Sequence, residues 1–138
     1  MNKSTREFKF KGKRIDNGEW FYGDLTQTYP EDYSPSIVSW VTDIESGYYS
    51  TRAIILETIG QYTGLKDKSK TKIYTGDTLV DDEDFYIVEF EEGCFVAVLD
   101  GNIIFPLSEV AYDCEIIGNI YDKMESQDED AREEEIDR

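Results

Sequence analysis

The sequence contains no histidine, and that absence removes the usual proton shuttle along with every Ser-His and Cys-His nucleophile system. A hydrolytic triad is excluded. Only two cysteines occur, Cys94 and Cys114, each beside apolar neighbours in an expected strand. Two thiols without histidine make a poor zinc site, so both are read as small buried hydrophobes, with nothing to support a disulfide. Basic residues are scarce, 14 against 31 acids, which gives a formal charge of −17. Such a field repels nucleic acid phosphates and anionic lipid heads, so partners chosen by charge are basic proteins or cations rather than nucleic acid or membrane. No apolar run approaches transmembrane length, and the basic N-terminus lacks the apolar core of a secretory signal, from which a cytoplasmic location is expected.

What the chain does have is enough length, 138 residues, to bury a core without metal or disulfide staples. The expectation is one β-rich domain over residues 1–121, with possible subunits 1–58 and 59–121, and an acidic disordered tail over 122–138. Charge is unevenly spread. Met1 to Arg14 holds six basic residues and one acid, whereas Ile73 to Tyr121 holds twelve acids and no lysine or arginine. Asp122 to Arg138 adds nine acids against three bases.

Arg6-Glu-Phe-Lys-Phe-Lys11 alternates charged and aromatic residues and predicts a strand with Phe8 and Phe10 on one side. A polar turn over Gly12–Gly18 leads to a second strand, Glu19-Trp-Phe-Tyr22, stopped by Gly23-Asp24. The rings Phe8, Phe10, Trp20, Phe21 and Tyr22 interleaved with cations have the make-up of a single-strand nucleic acid platform, but the net field opposes phosphate. Thr26–Ser36 reads as a loop. Ile37–Thr42 is a β-branched strand, Asp43–Gly47 a turn, and Tyr48–Leu56 the return, with one or two helical turns as the alternative over Arg52–Ile59.

From Ile59 to Val98 apolar runs, glycines and charges alternate in the order of a β-meander. Lys66–Lys72 is a polar loop and Gly76-Asp77 a sharp turn. In Phe85–Phe90 the residues Tyr86, Val88 and Phe90 take one face, and Ile87, Glu89 and Glu91 the other. Glu92-Gly93 and Asp100-Gly101 are hairpin turns joining three antiparallel strands. Pro106–Tyr112 has room for one helical turn, and Glu115–Tyr121 is a last strand closing the meander. Short strands, frequent glycine turns and no long helix indicate a mainly β chain forming a small barrel or strongly bent sheet, with an N-terminal β-hairpin region and short helical turns only.

The words Ile59-Gly-Gln-Tyr-Thr-Gly-Leu-Lys-Asp-Lys68, Lys72-Ile-Tyr-Thr-Gly-Asp77 and Ile116-Ile-Gly-Asn-Ile-Tyr121 resemble the hallmark segments of the YopX family of phage and prophage proteins. Arg6-Glu-Phe-Lys-Phe10 and Trp20-Phe-Tyr-Gly-Asp-Leu25 are similar to its N-terminal pattern, so the likeness spans about residues 6 to 121. The resemblance implies a mainly β protein with an SH3-type barrel or roll in its C-terminal part, encoded by a bacteriophage and working in the host cytoplasm. It carries over no catalytic residue and no cofactor.

Carboxylates are the remaining chemistry. Asp77 with Asp81, Asp82, Glu83 and Asp84 could in residue type hold a cation, but the run lacks the alternation and central glycine of a calcium loop, and a solvated turn accounts for it. Gly60-Gln-Tyr-Thr-Gly-Leu-Lys66 has three residues between glycines where a phosphate-binding loop needs four, and no helix follows. Glu89 and Glu91 share a strand face about 7 Å apart, near the spacing of phosphates along a nucleic acid strand. The expectation is therefore a non-enzymatic phage accessory protein that docks on a basic surface of a host protein through Asp77, Asp81, Asp82, Glu83, Asp84, Glu89, Glu91 and Glu92. One alternative is a DNA mimic that blocks a host nucleic-acid enzyme or defence nuclease; another is a small-ligand or nucleotide-binding module. Homo-oligomers are open through edge strands and the rings of Trp20 and Trp40.

Overall fold

Short β-branched and aromatic runs broken by glycine turns become strands with few helical residues in the computed structural model, which describes residues 7–28, 38–43 and 49–125. The described chain is mainly β, with two antiparallel sheets of six and five strands and one short helix. It divides into two compact units, built chiefly from Lys9–Gly60 and from Gln61–Asp122.

In the first unit, β1 (Phe10–Lys13), β2 (Trp20–Thr28), β3 (Val38–Asp43) and β4 (Ser50–Ile54) lie in the spatial order β4-β3-β2-β1. The expected turn at Gly12 is instead strand: β1 begins at Phe10 and runs on to Lys13. A Cβ at Gly12 would stand 2.1 Å from Ile54 Cγ2, so the glycine is there to let a buried isoleucine rest on the backbone. Gly23 does not stop β2 for a related reason, since a Cβ there would meet the Thr42 carbonyl oxygen of β3 at 2.0 Å. The strand and return expected from Ile37 to Leu56 are β3 and β4. Their turn at 44–48, Arg6 and residues 29–37 lie outside the described residues; the described part of the expected loop, Thr26–Thr28, is strand. After β4 a single 3-10 turn, Leu56–Thr58, is closed by the Thr58 hydroxyl, which donates to Ile55 O at 2.7 Å and accepts the Lys13 N–H at 2.8 Å.

In the second unit, β5 (Gly60–Lys66) pairs with β6 (Lys72–Tyr74), and the rings of Tyr62 and Tyr74 lie 5.8 Å apart. The apparent phosphate loop is thus a strand. The strands β7 (Asp77–Val80), β8 (Phe85–Glu91), β9 (Cys94–Leu99), β10 (Ile103–Pro106) and β11 (Glu115–Asn119) form the five-stranded sheet in the order β10-β9-β8-β7-β11. Both expected hairpin turns hold two consecutive left-handed residues, Glu92-Gly93 at φ 51° and 82° and Asp100-Gly101 at φ 54° and 80°. That is the turn whose twist matches the flanking strands. Leu79, Tyr86, Val88 and Ala97 supply the core from the sheet, and Leu107, Ala111 and Cys114 cover them from the turn α1 (Leu107–Val110) and the segment after it.

Two expectations are corrected, and one residue on its expected face stays outside the core. The sheet does not close into a barrel among the described residues: β11 extends the meander by pairing with β7, and β10 and β11 remain its two edges. Cys114 is fully buried, but Cys94 is exposed, because it opens β9 opposite Glu91 at the hairpin end. Phe90 shares the face of Tyr86 and Val88 yet lies beyond the core, 55% exposed, with its ring 5.0 Å from that of Phe95. Among the described residues, no helix is long and apolar enough to cross a membrane.

Candidate functional site

Asp81 builds the acidic turn between β7 and β8. Its Oδ1 accepts the backbone N–H of Glu83 at 2.9 Å and of Asp84 at 2.7 Å, and its Oδ2 accepts the Tyr86 hydroxyl at 3.3 Å. The two N–H groups hold the Asp81 carboxyl below its ordinary range, because they favour the charged form. Burial, with help from the Asp81 charge, pushes the Tyr86 phenol up to about 12. Asp82 and Glu83 are left exposed, with Asp84 partly so. Beside them a depression of ≈520 Å³ is lined by Asp81–Asp84, Asp113, Tyr112 and Lys68. Lys68 means that this surface is acidic but not of one sign.

The far end of β8 carries a second acidic patch. Glu89 and Glu91 face the same way, as the strand period requires, and a side-chain hydrogen bond in which Glu89 holds the proton and Glu91 accepts it raises Glu89 above the usual carboxylate range, with burial and the neighbouring charge adding to it. Such a bond needs one shared proton. Glu92 is exposed in the following turn. Seven residues of strand hold the two patches roughly 20 Å apart.

Asp77 belongs to neither patch. It is 2% exposed, and its oxygens accept the Tyr74 N–H at 2.8 Å and the Asn119 side-chain amide at 2.9 Å. A second buried carboxylate that the sequence did not single out behaves alike. Asp67, 3% exposed, accepts the N–H groups of Ser69 and Thr71 at 2.9 Å and of Ile116 at 3.0 Å. The two aspartates therefore join the turns before and after β6 to the strand β11. These are the three sequence words singled out above, and each word's acid or amide is spent on holding the fold. Among the described residues, no group of three or more Cys, Asp or Glu is placed to hold a metal ion.

The aromatic and basic N-terminal segment is arranged differently from a stacking platform. Lys11 and Lys13 are only 6% and 4% exposed, and their ammonium groups lie 4.3 Å and 5.6 Å from the Trp20 ring. Lys13 Nζ also donates to Met124 O at 2.8 Å. Asp122, expected to begin the tail, accepts the Asn119 N–H at 2.8 Å; residues 126–138 lie outside the described residues.

Sequence reasoning missed Lys68, Tyr112 and Asp113 as neighbours of the acidic turn. Nothing local marks them: Lys68 is placed by its N–H donating to Cys114 O at 2.9 Å across 46 residues.

Comparison with protein families matches residues 9–125 to the family described as YopX protein. Among solved structures the chain is similar to the crystal structure of protein EF1440 from Enterococcus faecalis, with a TM-score of 0.53 and 21% identity over 86% of this chain and 96% of that one. At that identity the likeness is one of fold. No curated protein matches the chain.

Proposed function

The chain belongs to the YopX family, and from that premise we propose that it is a phage-encoded accessory protein that binds a basic surface of a host protein and carries out no reaction itself. One observation carries the reading. Ile73–Tyr121 holds twelve acids without a lysine or arginine, and Asp82, Glu83 and Glu92 stand exposed among half-exposed Asp81, Asp84, Glu89 and Glu91. Exposed charges of this kind set encounter rate and partner choice more than packing does. Asp77 is left out of the contact because both its oxygens face inward partners. The five strands with the helical turn after β10 are read here as an opened SH3-type roll.

The pairing of Glu89 and Glu91 on one face favours a second reading, a DNA mimic that occupies the phosphate groove of a host nucleic-acid enzyme. Their backbone positions, two strand residues or about 7 Å apart, recur at an interval close to that of phosphates along a nucleic acid strand.

The full chain, used as bait in host lysate over a salt series, tests both readings. A partner whose capture weakens as salt rises, and weakens again in a chain neutralised at Asp82, Glu83, Glu89, Glu91 and Glu92, supports acidic docking. Release of that partner by added DNA selects the mimic. Capture indifferent to salt and to the five substitutions overturns both.

A further inference from the structure

The two edges of the five-stranded sheet are finished differently. β11 is covered by the loop before β6: Asp67 Oδ2 takes the Ile116 N–H at 3.0 Å, and the Ser69 hydroxyl donates to Glu115 Oε2 at 2.6 Å. β10, Ile103-Ile-Phe-Pro106, has no strand on its outer side among the described residues, and Ile103 and Ile104 stand 47% and 50% exposed. An edge strand is ordinarily guarded by charge, proline or shortness; β10 carries no charge and has only the other two.

The strand register fixes which backbone groups are open. Glu91 and Cys94 flank a two-residue turn and form its closing hydrogen-bonded pair, so Val96 and Val98 bond to β8. Ala97 and Leu99, which alternate with them, turn their N–H and C=O groups to β10. Ile103 and Phe105, opposite Leu99 and Ala97, therefore bond to β9, and Ile104 sends its N–H and C=O outward. Pro106 has the same outward setting, where a missing N–H removes no ladder bond.

Charge identifies the occupant. Asp100 and Glu109 are exposed at the two ends of β10, and no lysine or arginine occurs from Ile73 to Tyr121. A second copy would set −17 against −17 along an edge of four residues, far short of the roughly 800 Å² per partner that a stable pair buries. We infer that the β10 edge accepts an extended basic segment of a partner protein as a sixth strand. Ile104 N–H and C=O bond to its backbone, Ile103 and Ile104 pack against its apolar side chains, and its cations lie beside Asp100 and Glu109. The inference rests on the docking reading above for the partner's charge and adds where, and in what shape, the partner binds.

The probe is a capped octapeptide of alternating lysine and valine, titrated into the full chain at low salt while amide shifts and hydrogen exchange are followed. Without peptide, Ile103 and Phe105 should be protected and Ile104 should exchange fast. Saturating peptide should slow Ile104 at least about ten-fold, whereas the same peptide methylated at every backbone nitrogen, with equal charge, should not. Ile104→Pro, which puts proline in the setting Pro106 already occupies, should weaken binding roughly two-fold to ten-fold. Ile104 protected before peptide is added, in dilute or concentrated protein, overturns the inference, because the chain itself or a second copy then covers the edge. Both peptides acting alike, with shifts confined to Asp82, Glu83, Glu89, Glu91 and Glu92, overturn it and leave acidic docking standing. No response to either peptide overturns it too. A glutamine-for-lysine peptide that binds equally well overturns the basic occupant and the docking reading with it.

Discussion

Replacing Asp67 with alanine is the sharpest probe of how the second unit is held together. One carboxylate there accepts three backbone N–H groups, at 2.9, 2.9 and 3.0 Å, and sits 3% exposed. Hydrogen bonds to a charged acceptor contribute roughly 1.5–3 kcal/mol each, and buried donors left without a partner cost about 1–3 kcal/mol. Ser69 and Thr71 are exposed, so water recovers part of two of these bonds, whereas the N–H of Ile116 in β11 is only partly reached. The expected loss for Asp67→Ala is about 3–5 kcal/mol. At about 3–5 °C per kcal/mol for a chain of this size, Tm falls by roughly 10–20 °C. Asp67→Asn keeps an oxygen for the turn but sets an amide donor against the Ile116 N–H, so it should lie between alanine and the natural chain. Urea unfolding followed by circular dichroism and by aromatic fluorescence measures the series, with Asp82→Asn as an exposed control expected within about 0.5 kcal/mol. An Asp67→Ala chain within about 1 kcal/mol of the natural one would refute the reasoning, because three bonds to a buried charge could not then be what fastens β11 to the loop.

Three further outcomes follow from particular side chains. Gly12→Ala places a Cβ against the buried Ile54 and should cost about 1–3 kcal/mol in denaturant unfolding, with much of that recovered in the Gly12→Ala, Ile54→Ala pair, a non-additivity expected only of touching groups. Glu89 has its folded-state pKa raised above the unfolded value, so between those two values the native state holds more protons and stability falls as pH rises. Glu89→Gln should therefore remove that falling limb and unfold no more readily than the natural chain at neutral pH, and a limb that survives the substitution contradicts the shared proton. A thiol reagent should titrate one cysteine in the native protein, exposed Cys94, and a second only in denaturant, because burial pushes the Cys114 thiol up to about 11 and shields it. Two thiols reacting natively at similar rates would contradict the buried position of Cys114.

Local chemistry made the second sheet readable. Glu92-Gly93 and Asp100-Gly101 are turns because acid-glycine pairs accept two left-handed residues in a row, and Tyr86 and Val88 point inward because the strand period says so. What escaped the sequence was set by distant neighbours. Gly12 and Gly23 read as punctuation but are strand residues whose missing side chains admit Ile54 and the Thr42 carbonyl. Lys11 reads as the charged side of a strand and Lys13 as part of a polar turn, but both lie against Trp20, and Asp77 reads as surface acid but is claimed by Asn119, 42 residues on. The acidic turn itself was legible, whereas the part of Asp81 in building it came only from its bonds to Glu83, Asp84 and Tyr86. Its neighbours Lys68, Tyr112 and Asp113 were not, because the chain brings them there through the bonds of Asp67 and Cys114.

The surface charge itself is open to one direct measurement, the affinity of the captured host partner for the natural chain and for the chain neutralised at Asp82, Glu83, Glu89, Glu91 and Glu92, at low and high salt. Exposed ion pairs at about 0.2–1 kcal/mol each predict a loss of roughly five-fold to a few thousand-fold on neutralisation, shrinking as salt rises. Equal affinity of the two chains at low salt would contradict the account.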